Sequence, residues 1–132
     1  YYRQTTDKLD QKLTIGTKPG LKFDVDEIRI KKGIKVELTF DNTDDMLHNL
    51  VITDKGTAAV DEVGRLALLL GLDGADYNYV PDSDLVLYHT GILQPESSES
   101  IYVQIPETPG EYWIVCTFPG HSAVMRTKFI VE

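Results

Sequence analysis

Alternation of apolar and polar positions dominates this chain. Ile34, Val36, Leu38 and Phe40 are interleaved with Lys35, Glu37 and Thr39, and Ile101, Val103 and Ile105 with Tyr102 and Gln104. A period of two sends successive side chains to opposite faces, so both runs predict strands with one buried face. Leu13 and Ile15, Phe23 and Val25, and Ile28 and Ile30 give shorter versions near the start. His48 to Thr53 and Glu111 to Cys116 predict strands buried on both faces, and Arg126 to Val131 predicts the closing strand. Lys32-Gly33, Asp41-Asn42 and Thr108-Pro109-Gly110 separate these runs with turn residues. Short strands punctuated in this way predict an all-β fold, a Greek-key β-sandwich or barrel.

One stretch breaks the alternation. Thr57 to Leu72 is rich in Ala and Leu, and Val60, Val63 and Ala67 recur at helical spacing, as do Leu66, Leu69 and Leu70. This predicts a helical flap over residues 57–72, about four turns long, stopped by Gly71 and Gly74. Its leucine face reads as cover for the core. Asp73 to Asp84, which contains Pro81, predicts a polar loop. The first ten residues, with Asp7, Lys8 and Asp10, predict a polar lead-in or linker, and the 132 residues as a whole predict a single domain.

Charge narrows the partners. The chain has 13 basic and 21 acidic residues, a net charge of -8. That balance repels phosphate backbones and anionic membrane surfaces, so no nucleic acid is expected. The longest apolar run, Leu66 to Leu70, falls far short of the roughly 20 residues that cross a bilayer, so no transmembrane segment is expected. The chain starts at Tyr1 rather than Met, which leaves two readings open: a mature end after removal of a leader, or a piece of a longer protein.

The chemistry concentrates near the end. Cys116 is the chain's one cysteine, so no internal disulfide is expected. In Cys116-Thr117-Phe118-Pro119-Gly120-His121-Ser122-Ala123-Val124-Met125, four residues separate Cys116 from His121 and three separate His121 from Met125. His48 opens another apolar run. A lone Cys, Met or His is usually an inert core residue. Their conjunction at loop spacing is different: His₂Cys with a weak axial Met is the donor set of blue-copper electron-transfer sites, where thiolate and thioether suit Cu(I) and imidazole suits both states. Zinc is the competing metal, but structural zinc prefers four Cys and His ligands, and catalytic zinc takes three plus water. A binuclear copper site needs a second Cys in the loop. A copper oxidase or nitrite reductase needs several more histidines, and the chain has 3 in all, so it is not expected to be an enzyme on its own. A metal-free binding module of the same fold would lack one of the four donors, and storage suits a single buried site poorly.

The stretch from Cys116 to Met125 resembles the copper loop of azurins, and Met46-Leu47-His48-Asn49-Leu50-Val51 resembles the region carrying their first histidine. Gly71-Leu72-Asp73, Asp76-Tyr77, Pro81-Asp82-Ser83-Asp84 and Val86 to Leu93 are similar to the flap and following strand of azurins and auracyanins. The likeness, to the azurin- and auracyanin-like blue copper proteins of the cupredoxin family, covers roughly residues 11–132. It implies a Greek-key sandwich, one type 1 copper and one-electron transfer outside the cytoplasm, in the periplasm or tethered to a membrane. It implies His48, Cys116 and His121 as equatorial ligands and Met125 as the axial one. Asn49 would brace the ligand-bearing segments, and the Phe118 N–H would point at the Cys116 sulfur. Leu47, Pro119 and Ala123 would form an apolar electron-transfer patch around His121. His89 would be a surface histidine and not a ligand. Redox proteins, such as cytochromes or a respiratory complex, would be transient partners, and the alternative role is an electron-feeding domain of a larger redox enzyme or membrane-tethered complex. Two departures stand out: Leu47 occupies a position that is Gly in azurins, so no fifth contact is assigned there, and the azurin disulfide is absent.

Overall fold

A computed structural model describes residues 9–132 of the chain. Its strands are β1 (Gln11–Lys18), β2 (Lys22–Phe23), β3 (Glu27–Ile30), β4 (Lys35–Asn42), β5 (Val51–Thr53), β6 (Val86–His89), β7 (Ser97–Gln104), β8 (Gly110–Val115) and β9 (Arg126–Val131). They form two sheets, ordered β2-β1-β4-β7 and β3-β9-β8-β5-β6. Pairs β1/β4 and β3/β9 are parallel and the others antiparallel. The result is a mostly β sandwich of two mixed sheets.

The alternation in β4 explains how the layers meet. Val36, Leu38, Phe40 and Asn42 are buried while the residues between them are half-buried. Val36, Leu38 and Phe40 join Ile15, Ile101 and Val103 from the same sheet, and Ile52, Ile114, Phe129 and Val131 from the facing one, in one apolar core. Burying each such side chain contributes about 1.5–3 kcal/mol. Strands β5 and β8 lack alternation because their outer face is covered too. Val51, Trp113 and Val115 pack with Val60, Val63 and Val80 of the flap in a second cluster. The continuous apolar runs in the sequence therefore record a second layer over the sheet.

That layer is α1 (Thr57–Leu69), followed by a 3₁₀ segment (Gly71–Tyr77). The expected helix through residue 72 ends earlier, because Gly71 takes a left-handed φ of 54° and turns the chain out of the α conformation. Part of the expected polar loop 73–84 is thus 3₁₀. The face pressed on the sheet is Ala59, Val60, Val63, Gly64 and Ala67, not the leucines. Small residues let the helix approach closely. Leu66 and Leu70 are half-buried, and Leu69 stays 69% exposed.

Other boundaries also shift. His48 lies outside β5, joined to Leu93 by an isolated bridge. The ladder breaks there because the Thr90 hydroxyl, instead of a strand carbonyl, accepts the Leu50 N–H at 3.0 Å. Glu111, placed in a buried strand by its neighbours, points to solvent. Of the lead-in, residues 1–8 lie outside the described part, and Asp10 is no free linker: its Oδ2 accepts the Lys35 N–H at 2.9 Å.

Gly64 sets the gap between α1 and the segment after His121. A Cβ there would lie 2.5 Å from Ser122 Oγ and 2.9 Å from Ser122 Cβ. Helix propensity alone favours Gly64→Ala by about 1 kcal/mol, but the overlap costs about 1–3 kcal/mol. Gly64→Ala is therefore expected to lower Tm, and Gly64→Ala with Ser122→Gly to recover most of the loss; a single variant as stable as the wild type contradicts the close contact.

Candidate metal centre

Three chain segments meet at one end of the sandwich. Cys116 directly follows β8, and its N–H donates to the Met125 carbonyl at 3.0 Å. The Met125 N–H in turn donates to the His121 carbonyl at 2.8 Å, and the His121 N–H to the Phe118 carbonyl at 3.0 Å. Gly120, with φ 87°, makes the tight turn that these bonds close. The loop thus brings Cys116, His121 and Met125 back on one another. His48 arrives from the segment before β5, its backbone clamped to Leu93 by two hydrogen bonds of 3.3 and 2.8 Å.

The side chains of His48, Cys116 and His121 converge in the protein interior, and Met125 is buried on the same loop. Cys116, His48 and Met125 are 0% exposed and His121 is 4% exposed. Cys116 Sγ lies 3.6 Å from His48 Nδ1 and 3.7 Å from His121 Nδ1. One donor atom from each of the three residues lies within 4.8 Å of the others. His89 is not part of this group: it sits on β6 with Nδ1 bonded to the Thr90 carbonyl at 2.7 Å.

Protons alone satisfy this cluster poorly. His48 Nε2–H donates to Asp44 Oδ2 at 2.7 Å, which leaves Nδ1 as a lone pair facing the sulfur. A single thiol proton cannot serve both facing ring nitrogens. A cation at the centre would satisfy all three atoms at once. The spacing fits one: metal bonds of about 2.0 Å to nitrogen and about 2.3 Å to sulfur, roughly 120° apart, separate the two atoms by about 3.7 Å. The soft sulfur beside two imidazoles matches copper.

A buried polar brace holds the parts in register. Asn49, fully buried, donates from Nδ2 to Thr117 Oγ1 at 2.8 Å and to the Asn78 carbonyl at 2.9 Å, and its Oδ1 accepts the Thr117 N–H at 2.8 Å. Thr117 Oγ1 donates to the Tyr79 carbonyl at 2.7 Å. One amide therefore ties the His48 segment, the Cys116 segment and the end of the flap together. Each partner left unmet by its loss would cost about 1–3 kcal/mol. The backbone N–H groups of Asn49 and Phe118 both donate to the Cys116 sulfur. The Phe118 ring stands 5.0 Å from both the Tyr79 and the His121 rings, centroid to centroid. Around the site, Leu47 is half-buried and Pro119 and Ala123 are exposed.

Sequence reasoning missed Asp44, Asn42 and the Asn49 N–H. Asp44 is held in place by its own N–H donating to Asn42 Oδ1 at 3.1 Å, while fully buried Asn42 donates from Nδ2 to the Met46, Leu93 and Gln94 carbonyls. A carboxylate four residues before His48 was a signal in plain view, masked by the turn chemistry of its neighbours. The hydrogen bonds from His48 and from the Asp45 N–H hold the Asp44 carboxyl below the usual range. Burial pushes His121 down, and the nearby His48 adds to this while Asp44 opposes it.

Burial also pushes the Cys116 thiol up to about 11, against the opposing pull of the Asn49 and Phe118 N–H groups. The folded chain then holds this proton more tightly than the unfolded one. The stability it contributes is full below the ordinary thiol value of 9 and is lost as pH rises through about 11. At about 1.36 kcal/mol per unit the loss is about 3 kcal/mol. Urea denaturation of metal-free protein across that window is expected to show this fall in the wild type relative to Cys116→Ala; parallel curves would show that burial does not disfavour the thiolate.

The comparisons agree with this geometry. A family model described as copper binding proteins, plastocyanin/azurin family, matches residues 10–132. The chain is 32% identical over 123 residues to outer membrane protein H.8 of Neisseria meningitidis serogroup B (strain ATCC BAA-335 / MC58), covering 87% of this chain and 64% of that protein. The chain thus spans less than two thirds of the length of that relative. It is 30% identical over 124 residues to azurin of Pseudomonas putida, covering 87% of this chain and 93% of the azurin. The solved structure of a dithionite-reduced auracyanin from Roseiflexus castenholzii superposes with a TM-score of 0.83 at 27% identity, covering 95% of this chain and 99% of that one. With a His–Cys–His cluster at its core and a family match along all but its first residues, the chain belongs to the plastocyanin/azurin family of copper-binding proteins.

Proposed function

We propose that His48, Cys116 and His121, with the buried Met125 on the same loop, would hold one type 1 copper and so make the chain a one-electron carrier. The observation that carries this is the convergence of the two imidazole nitrogens on the Cys116 sulfur at 3.6 and 3.7 Å, with all three side chains buried. Bound copper supplies the one-electron chemistry by passing between Cu(II) and Cu(I). The chain's own residues do the rest. Asn49 fixes the distance between the ligand segments, so the ligands need to move little between states. The Asn49 and Phe118 N–H groups share the thiolate charge. Burial keeps water and other ligands away from the centre.

Electrons would enter and leave past His121. Leu47, Pro119 and Ala123, with Met46 at 41% and Val124 at 58% exposure, offer a partner an apolar surface beside it. A small contact of this kind suits a short-lived encounter with a redox protein, for which cytochromes and respiratory complexes are the natural classes. We place the protein outside the cytoplasm, in the periplasm or tethered to a membrane; the outer-membrane name of its Neisseria relative supports that placement. The chain acts as a single domain, either alone or as the electron-feeding part of a larger redox assembly, and not as an enzyme in itself: the third histidine, His89, stands apart on β6.

Two measurements test this reading. The protein loaded with Cu(II) should show an intense visible band that ascorbate bleaches, and Cys116→Ser should abolish the band while keeping the fold by far-UV circular dichroism. Persistence of the band in that variant would remove the central claim. Ala123→Asp should slow electron self-exchange by more than about tenfold through the cost of desolvating a charge at the contact, with little change in the band. Thr108→Asp, at the exposed turn before β8 and so at the opposite end of that strand from Cys116, is the control. Equal slowing by both would place the electron port elsewhere.

A further inference from the structure

We infer that Asp44 is a positioning residue for the inner histidine, and that its negative charge biases the copper centre toward the oxidised state. The inference rests on the metal centre proposed above and deepens it. His48 is fully buried, and its two ring nitrogens face different groups: Nδ1 faces Cys116 Sγ, and Nε2 faces Asp44 Oδ2, 2.7 Å away. The carboxylate fixes the proton on Nε2, so Nδ1 always presents a lone pair to the centre.

The position of Asp44 is built, not incidental. Its Oδ1 accepts the Asp45 N–H at 2.8 Å, and its own N–H is held by Asn42. Asn42, itself buried, anchors the turn through the Met46, Leu93 and Gln94 carbonyls. Leu93 is also the residue whose backbone clamps His48. The same turn therefore sets both ends of the Asp44–His48 bond. The carboxylate side chain is 19% exposed, so water screens it only in part.

The electrostatic consequence has a definite sign. A full negative charge one imidazole away stabilises a dication more than a monocation, and a charge-assisted hydrogen bond is about twice as strong as a neutral one. His121 gets no such support: among the described residues, its ring hydrogen-bonds only the Cys116 sulfur. The two imidazoles thus differ in role, the inner one setting the preference for Cu(II) and the outer one facing the partner.

Asp44→Asn keeps the shape and an acceptor for the Asp45 N–H but removes the charge. Partners of metal-bound histidines shift metal affinity by roughly 10–100-fold when altered, and Cu(II) takes the larger share. Voltammetry should show the Cu(II)-to-Cu(I) affinity ratio falling about tenfold, a rise of about 59 mV for a one-electron couple, with the visible band retained. Asp44→Ser, which keeps a local acceptor and removes the His48 partner, should shift the ratio in the same direction. Asp45→Asn makes the same change in net charge on an exposed neighbour and should shift it by less than about twofold. A coloured Asp44→Asn with unchanged or lower potential overturns the inference, as does an equal shift in Asp45→Asn. A wild-type protein that never turns blue is the separate failure of the metal centre itself.

Discussion

Two ring nitrogens and a sulfur face one another where water cannot reach them, and the rest of the fold serves that arrangement. Lone pairs brought together in a low dielectric repel unless a proton or a metal lies between them. Here one thiol proton is shared by two facing nitrogens at 3.6 and 3.7 Å. Stiff supports, the Asn49 brace and the Leu93 clamp on His48, hold the three groups there. The same stiffness lets a centre keep nearly one geometry in two oxidation states.

The supports are polar where they cross between segments and apolar where they press layers together. Asn49 uses each end of its amide to join segments far apart in sequence, with all of its partners in buried or half-buried places. Such a network specifies one register, since any slip leaves several groups unmet. The flap adds pressure without direction. Val60, Val63 and Val80 pack on Val51, Trp113 and Val115, which backs β5 and β8 from the outside. The strands next to both inner ligands are thereby held on two faces.

This division explains what could be read from the residues. Where burial falls on one face, as in β4, the period of two reports it directly, and the metal donors are legible because Cys, His and Met are rare and chemically distinct. Glu111 was misplaced because it sits in an apolar run yet faces solvent at a strand's start. The flap was legible as a helix but not in which face it buries, since Ala59, Gly64 and Ala67 give weak signals beside Leu66, Leu69 and Leu70. The 3₁₀ segment hid within polar residues that carry no period. Asp44 and Asn42 read as turn chemistry, and they are; their second task depends on the buried imidazole that the turn happens to face, which no local pattern records.

The two histidines complete the argument. Both point Nδ1 at the same sulfur, yet one is enclosed with an anion behind it and the other lies in a turn between exposed Pro119 and Ala123. An electron carrier has to reconcile two demands: a centre sheltered enough to hold its geometry and potential, and a path short enough to a partner. One ligand cannot meet both, because a charged group near the contact raises the cost of docking while a charged group near the metal sets the driving force. Dividing the tasks between His48 and His121 removes the conflict. In the function proposed above, the acidic residue on the inner histidine would bear on potential, and the exposed Pro119 and Ala123 on either side of the outer one in sequence would bear on approach.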